Sequence, residues 1–159
     1  MASLADYKTP RPWLILVAFL IVVIGVGGVL GFLSAPGEWY ASLQKPVFNP
    51  PNWVFAPVWL ILYVMIAIAG WRIFMIDGSR SAMKIWYAQI VLNWAWTPVW
   101  FGAHQIWPAY AIIMALWLLI IAFMLIAPRL DKTAAWLFAP YLVWVTFASM
   151  LNLSIGLLN

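Results

Sequence analysis

The side chains able to do chemistry in this chain fall largely on one stripe. Within residues 82–103, Trp86, Gln89, Asn93, Thr97 and Trp100 recur at steps of three or four. On a helix that spacing gathers two amides, a hydroxyl and two indoles onto one face. Such a set can donate and accept hydrogen bonds and offer flat apolar rings. One reading is polar glue, Gln89 and Asn93 bonding to neighbouring helices. The other is the polar anchor of a ligand cavity. Pro98 adds to the face, because it removes a backbone hydrogen bond and clashes with the Trp94 carbonyl, which predicts a kink.

A second stripe lies in residues 134–157. Pro140 comes early, followed by Trp144, Ala148 and Leu151 on one side and Thr146, Ser149 and Asn152 on another. Small Ala148 beside Trp144 leaves room for a flat ligand or, equally, lets two helices approach closely. Between residues 25 and 31 stand four glycines, including the Gly27–Gly31 pair at the four-residue spacing of close helix packing. No ligand is assigned to that face.

Enzyme signatures are missing. His104 is the single histidine, so a histidine-rich metal site is impossible, and it reads as an interfacial loop residue. There is no cysteine, hence no disulfide, thiolate ligand or cysteine nucleophile. The four carboxylates sit at span ends or in loops. Asp77 with Arg80, and Asp131 with Arg129 or Lys132, read as turns and surface pairs. No paired carboxylates form a proton relay, and no catalytic or metal-ligating set is assigned.

The elements that must carry these stripes follow from composition. Of 159 residues, 67% are hydrophobic and 8% charged. An ordinary soluble domain carries roughly 25% charged residues, so too little polar surface exists to face water. The net charge of +4 is not concentrated in a basic run, which excludes a nucleic-acid partner. A membrane helix needs roughly 20 apolar residues. Five uncharged stretches qualify, at about 13–33, 53–76, 82–103, 108–127 and 134–157. Arg72, near the end of the second, is placed to snorkel to the headgroups, and Asp77-Gly78-Ser79 makes the following turn. Pro108 opens the fourth span and Pro128 stops it. The expected fold is therefore an all-α integral membrane protein, a single domain over residues 1–159 forming a five-transmembrane-helix bundle. Its first span is retained, since no cleavage site follows it.

Lys8, Arg11, Arg72, Arg80, Lys84, Arg129 and Lys132 fall on the N-terminal side of the bundle and only Lys45 on the other. The positive-inside rule then places the N-terminus in the cytoplasm of a bacterial cell membrane. The long first loop, residues 34–52, is too rich in Trp, Tyr and Phe for a solvated linker, and its four prolines argue against regular structure. Most of the thirteen Trp read as interfacial belt residues. For the loop, a lid over one mouth of the bundle is the competing reading.

The loop string Gly37-Glu-Trp-Tyr-Ala-Ser-Leu-Gln-Lys-Pro-Val-Phe-Asn-Pro-Pro-Asn-Trp53 resembles the first-loop signature of the TspO family of tryptophan-rich sensory and translocator proteins. Asn93-Trp-Ala-Trp-Thr-Pro-Val-Trp-Phe-Gly102 is similar to its third-helix motif, and Pro140-Tyr-Leu-Val-Trp-Val-Thr-Phe-Ala148 to its fifth-helix motif. Order and spacing agree across the whole chain. The resemblance implies a commonly dimeric five-helix bundle whose cavity, beneath the first loop, binds porphyrins such as protoporphyrin IX or haem-like tetrapyrroles, with no cofactor required. Sterols and benzodiazepine-type drugs are further ligands of animal members. Carried over by motif, the ligand-binding residues would be Trp39, Tyr40, Trp59, Asn93, Trp144 and Ala148. Animal members have a sterol-recognition pattern late in helix five, which Met150-Leu-Asn-Leu-Ser-Ile-Gly-Leu-Leu-Asn159 lacks.

Three function classes follow. The first is a membrane receptor or carrier of tetrapyrroles, suited to indole stacking with a few orienting polar groups. The second, from the resemblance, is a light-dependent porphyrin-degrading enzyme. The third is a membrane interaction protein whose cavity is incidental.

Overall fold

The computed structural model describes residues 11–76 and 80–159. The described residues are helical, with no strand. The long helices are α1 (Pro12–Leu33), α3 (Phe55–Phe74), α4 (Arg80–Thr97), α5 (Ile106–Ile126) and α7 (Ala139–Leu158). Short helices α2 (Glu38–Ser42) and α6 (Lys132–Leu137) lie between them. The turn expected at Asp77-Gly78-Ser79, with its Asp77–Arg80 pair, lies outside the described residues.

Among the described residues, four helical segments are long and apolar enough to cross a membrane: Pro12–Leu33, Asn52–Phe74, Ile106–Arg129 and Lys132–Leu158. Helix α4 is not one of them. Lys84, Gln89 and Asn93 lower its hydropathy, yet Gln89 and Asn93 are turned inward and buried. A helix can carry amides on the face it turns to its neighbours that it could not carry on the exposed face of Tyr87 and Val91.

The helices close a ring. α1 packs on α3 and α4, α4 on α5, α5 on α7, and α6 on α3. α5 buries Ala109, Ile113, Leu116, Ile120 and Phe123, an alternation of four- and three-residue steps that makes one continuous seam. α3 and α7 are bridged by rings: Trp144 meets Phe55 at 5.8 Å and Trp59 at 6.5 Å between centroids.

Several local features differ from expectation. The first loop is not devoid of regular structure, since α2 forms between Pro36 and Pro46, where no proline interrupts it. The kink expected at Pro98 is a π-helical segment, Pro98–Gly102, in which the Ala103 amide donates to the Pro98 carbonyl at 2.8 Å. A five-residue reach absorbs the backbone disruption that proline imposes. The stretch 134–157 is broken at Phe138, where Pro140 restarts the helix as α7.

Asp131 does not pair with Arg129 or Lys132. Its Oδ1 accepts from the Ala134 amide, capping α6, while Oδ2 accepts from Arg72 Nε at 2.8 Å and lies 2.7 Å from a terminal guanidinium nitrogen. Arg72 therefore ties α3 to α6 instead of reaching freely for headgroups. Such charge-assisted bonds are shorter and stronger than those between neutral groups.

Candidate functional site

At the loop end of the bundle a cavity of about 450 Å³ opens between α1, α3 and the end of α4. α1 contributes bare backbone at Gly27, Gly28 and Gly31, flanked by the side chains of Ile24 and Phe32. Aromatic residues extend the lining: Trp59 and Tyr63 of α3 with Trp96 and Phe101 of the α4 segment. Pro36 and Asn52 of the loop close the end, and Ser34 and Thr97 add hydroxyls. The glycine face, to which no ligand is assigned from spacing alone, thus lines a cavity. Only Gly27 serves close packing, since a Cβ there would overlap the Tyr63 ring, whereas Gly28 and Gly31 have nothing within 4 Å of that position.

Trp59 is the one carried-over residue on the cavity wall. Asn93, 2% exposed, stands one residue behind it: Tyr63 Oη donates to Asn93 Oδ1 at 3.1 Å. Asn93 Nδ2 donates to Tyr141 Oη at 2.8 Å, and Tyr141 Oη donates to Gln89 Oε1 at 3.0 Å. A polar chain therefore crosses from α3 through α4 to α7 inside an apolar bundle. Trp144 backs Trp59 edge-on at 88°, and its indole nitrogen is buried without a hydrogen-bond acceptor among the described residues. Ala148 is buried on the same helix, away from the cavity wall.

Trp39 and Tyr40 dock the loop onto the end of α4. The Trp39 indole stacks on His104 at 4.4 Å and meets Trp100 edge-on at 5.9 Å. His104 holds a positive φ of 57°, the left-handed conformation that lets the chain turn between the π-segment and α5. Tyr40 is buried against Phe101, a cavity residue, at 5.3 Å, and its hydroxyl donates to Asn49 Oδ1 at 3.0 Å. Burial pushes the Tyr40 phenol above its ordinary value of 10.0. The Lys45 ammonium lies 4.7 Å from the Tyr40 ring centroid. Asn159 clasps the same loop, accepting from the Gln44 amide at 2.9 Å and donating to the Gln44 carbonyl at 3.0 Å.

Asn152 and Thr146 are interhelical glue, whereas Ser149 donates to the Thr146 carbonyl of its own helix. Asn152 accepts from Trp96 Nε1 and donates to the Ile106 carbonyl, while Thr146 Oγ1 accepts from Trp117 Nε1. Tyr63 and Tyr141, central to the site, lie outside the stripes of amides and aliphatic hydroxyls that the sequence spacing marks. The four-residue step from Trp59 to Tyr63 was the available signal.

An apolar helical bundle with this loop, this α4 segment and a glycine-and-indole cavity can be compared with known proteins. A TspO/MBR family model matches residues 16–158. This chain belongs to the TspO/MBR family. It is 40% identical over 147 residues to a tryptophan-rich sensory protein of Cereibacter sphaeroides, covering 92% of each chain. It is 37% identical to the translocator protein of Ovis aries, covering 89% of this chain and 88% of that one. With the tryptophan-rich protein TspO of Chlorobaculum tepidum it shares 36% identity over 88% and 91% of the two chains. Two of these TspO/MBR relatives are named as a sensory and a translocator protein, and none is named as an enzyme. Together with four spans of membrane length, membership makes the chain an integral membrane protein.

Proposed function

We propose that this protein is a membrane receptor or carrier that binds flat apolar tetrapyrroles of the protoporphyrin IX type in the cavity between α1, α3 and α4. The observation that carries the reading is the pairing of bare backbone at Gly28 and Gly31 with an aromatic lining. A planar macrocycle needs such a slot: backbone close on one face, ring stacking on the other, and a few polar groups for orientation. A volume of about 450 Å³ lies within the roughly 300–1,000 Å³ typical of ligand pockets.

In this reading Trp59 contacts the ligand directly, Asn93 acts through the Tyr63 hydroxyl, and Trp144 and Ala148 set the shape behind Trp59. Trp39 and Tyr40 hold the loop as a lid over the cavity. α4 completes a single bundle of five spans, with the N-terminus cytoplasmic, and the protein acts as a homodimer. Sterols and benzodiazepine-type drugs are flat or apolar enough to compete for the slot. Quenching of Trp fluorescence by protoporphyrin IX in detergent tests the proposal, with an unrelated Trp-rich membrane protein as control for partition into micelles. Saturable quenching peculiar to this protein supports a specific cavity; quenching no stronger than the control removes it.

A further inference from the structure

The chain Tyr63–Asn93–Tyr141–Gln89 has a property that a fixed polar anchor lacks. Every member has both a donor and an acceptor, and a primary amide exchanges its oxygen and nitrogen by a half-turn about a broad, two-fold torsion. In the arrangement described above, all three bonds run away from the cavity, from Tyr63 towards Gln89. Gln89 is wholly buried, and its Nε2 has no acceptor among the described residues.

The same heavy atoms support the opposite sense. Gln89 Nε2 then donates to Tyr141, Tyr141 donates to Asn93, and Asn93 donates to Tyr63. The count of bonds within the chain is unchanged. At the Gln89 end the amide nitrogen gains its missing partner and a carbonyl oxygen loses one, which buried structures tolerate more readily than an orphaned N–H. At the other end the Tyr63 hydrogen is released. Tyr63 lines the cavity, so that hydrogen becomes available to a bound molecule.

We infer that Tyr63 is the specificity-determining residue of the cavity and that the chain behind it reverses. Running outward, the chain leaves Tyr63 only lone pairs to offer, suiting a ligand N–H or O–H. Reversed, it offers a hydrogen, suiting a ligand carbonyl or carboxylate. The inference rests on the cavity proposed above as the ligand site, and it makes that site accept flat apolar molecules of either polarity.

The decisive variant is Gln89→Leu, remote from the cavity wall. Without Gln89 Oε1 the Tyr141 hydrogen has no acceptor in the outward sense, whereas in the reversed sense it bonds to Asn93. The substitution locks the reversed sense. Two rigid tricyclic probes of similar shape read the result: carbazole, with one N–H donor, and fluorenone, with one carbonyl acceptor. The wild-type protein binds both. In Gln89→Leu the fluorenone-to-carbazole affinity ratio rises by about ten-fold, within the roughly 5- to 150-fold range set by one orphaned buried donor. In Tyr63→Phe the probe preference disappears. Both probes binding Gln89→Leu in the wild-type ratio would overturn the inference.

A ligand-free measurement separates the chain from the cavity. With ring-deuterated tyrosine, the infrared C–O stretch of Tyr63, assigned by difference from Tyr63→Phe, distinguishes a phenol that donates from one that accepts. The band shifts to the accepting position in Gln89→Leu if the chain reverses, and an unshifted band refutes reversal whether or not a probe binds. A shifted band with neither probe binding the wild-type protein supports the chain and counts instead against the cavity as ligand site.

Discussion

The glycine wall of α1 supports a graded test, because neighbouring glycines on one helix face different surroundings. A Cβ at Gly31 or Gly28 enters open space, while one at Gly27 overlaps the Tyr63 ring. Replacing glycine by alanine within a helix contributes about 0.5–1 kcal/mol of stability. Overpacking against a buried ring opposes it by about 1–3 kcal/mol. Gly31→Ala should therefore stabilise by up to about 1 kcal/mol, and Gly27→Ala should destabilise by a net ~1 kcal/mol. The double variant Gly28→Leu/Gly31→Leu goes further. Its eight added carbons, each taking about the ~30 Å³ of a water molecule, fill roughly 240 Å³, about half of the 450 Å³ cavity. Protoporphyrin IX affinity should fall at least ten-fold, about 1.4 kcal/mol, while the fold persists. Thermal unfolding followed by circular dichroism reads stability, and Trp quenching reads affinity. A folded double variant that quenches at the wild-type midpoint would refute the assignment of the site to this cavity. Equal stability of the Gly27 and Gly31 alanine variants would refute the close approach of α1 to α3.

Other outcomes follow from separate parts of the structure. Tyr40 is neutral and buried, with its phenol raised above 10.0, so its contribution to loop docking is complete below about pH 10 and is lost as pH rises through the folded-state value. Trp emission should report alkaline loosening of the loop, and Tyr40→Phe should abolish that pH dependence; an unchanged profile in the variant would count against it. Asp131→Ala removes a helix cap worth about 0.5–2 kcal/mol and charge-assisted bonds from Arg72 worth about 1.5–3 kcal/mol. With the two side chains only 24% and 9% exposed, a loss of about 2–4 kcal/mol is expected in reversible denaturation, and a loss below ~0.5 kcal/mol would show that the pair does not tie α3 to α6. Because the chain has no cysteine, single cysteines introduced at Lys45 and Arg129 should label from opposite sides of the membrane, Lys45 from outside the cytoplasm; labelling from one side would disprove the five-span reading.

The sequence made the packing stripes legible wherever one helix face alone decided burial. Trp86, Gln89, Asn93 and Trp100 share a face by spacing and are all buried, because period 3.6 fixes which residues point the same way regardless of partner. What that face meets depends on neighbouring helices, and spacing carries no such information. Nothing local distinguishes Gly27, pressed against Tyr63, from Gly31, which borders open space four residues later. The Arg72–Asp131 pair, 59 residues apart, is hidden for the same reason, since sequence proximity favours Arg129 and Lys132 as partners of Asp131. Pro98 announced a disruption but not its form, because a kink and a π-segment relieve the same clash.

The bareness of the α1 wall has a consequence for how this site can change over generations. Any replacement at Gly28 or Gly31 adds atoms, so mutation at these two positions can only narrow the slot. New ligand preferences must arise where side chains already line it, at Ile24 and Phe32 of α1 and at the aromatic residues of α3 and α4, which can be exchanged in either direction of size and polarity. The two kinds of lining thus age differently: one is a one-way ratchet towards closure, the other the surface on which selection can experiment.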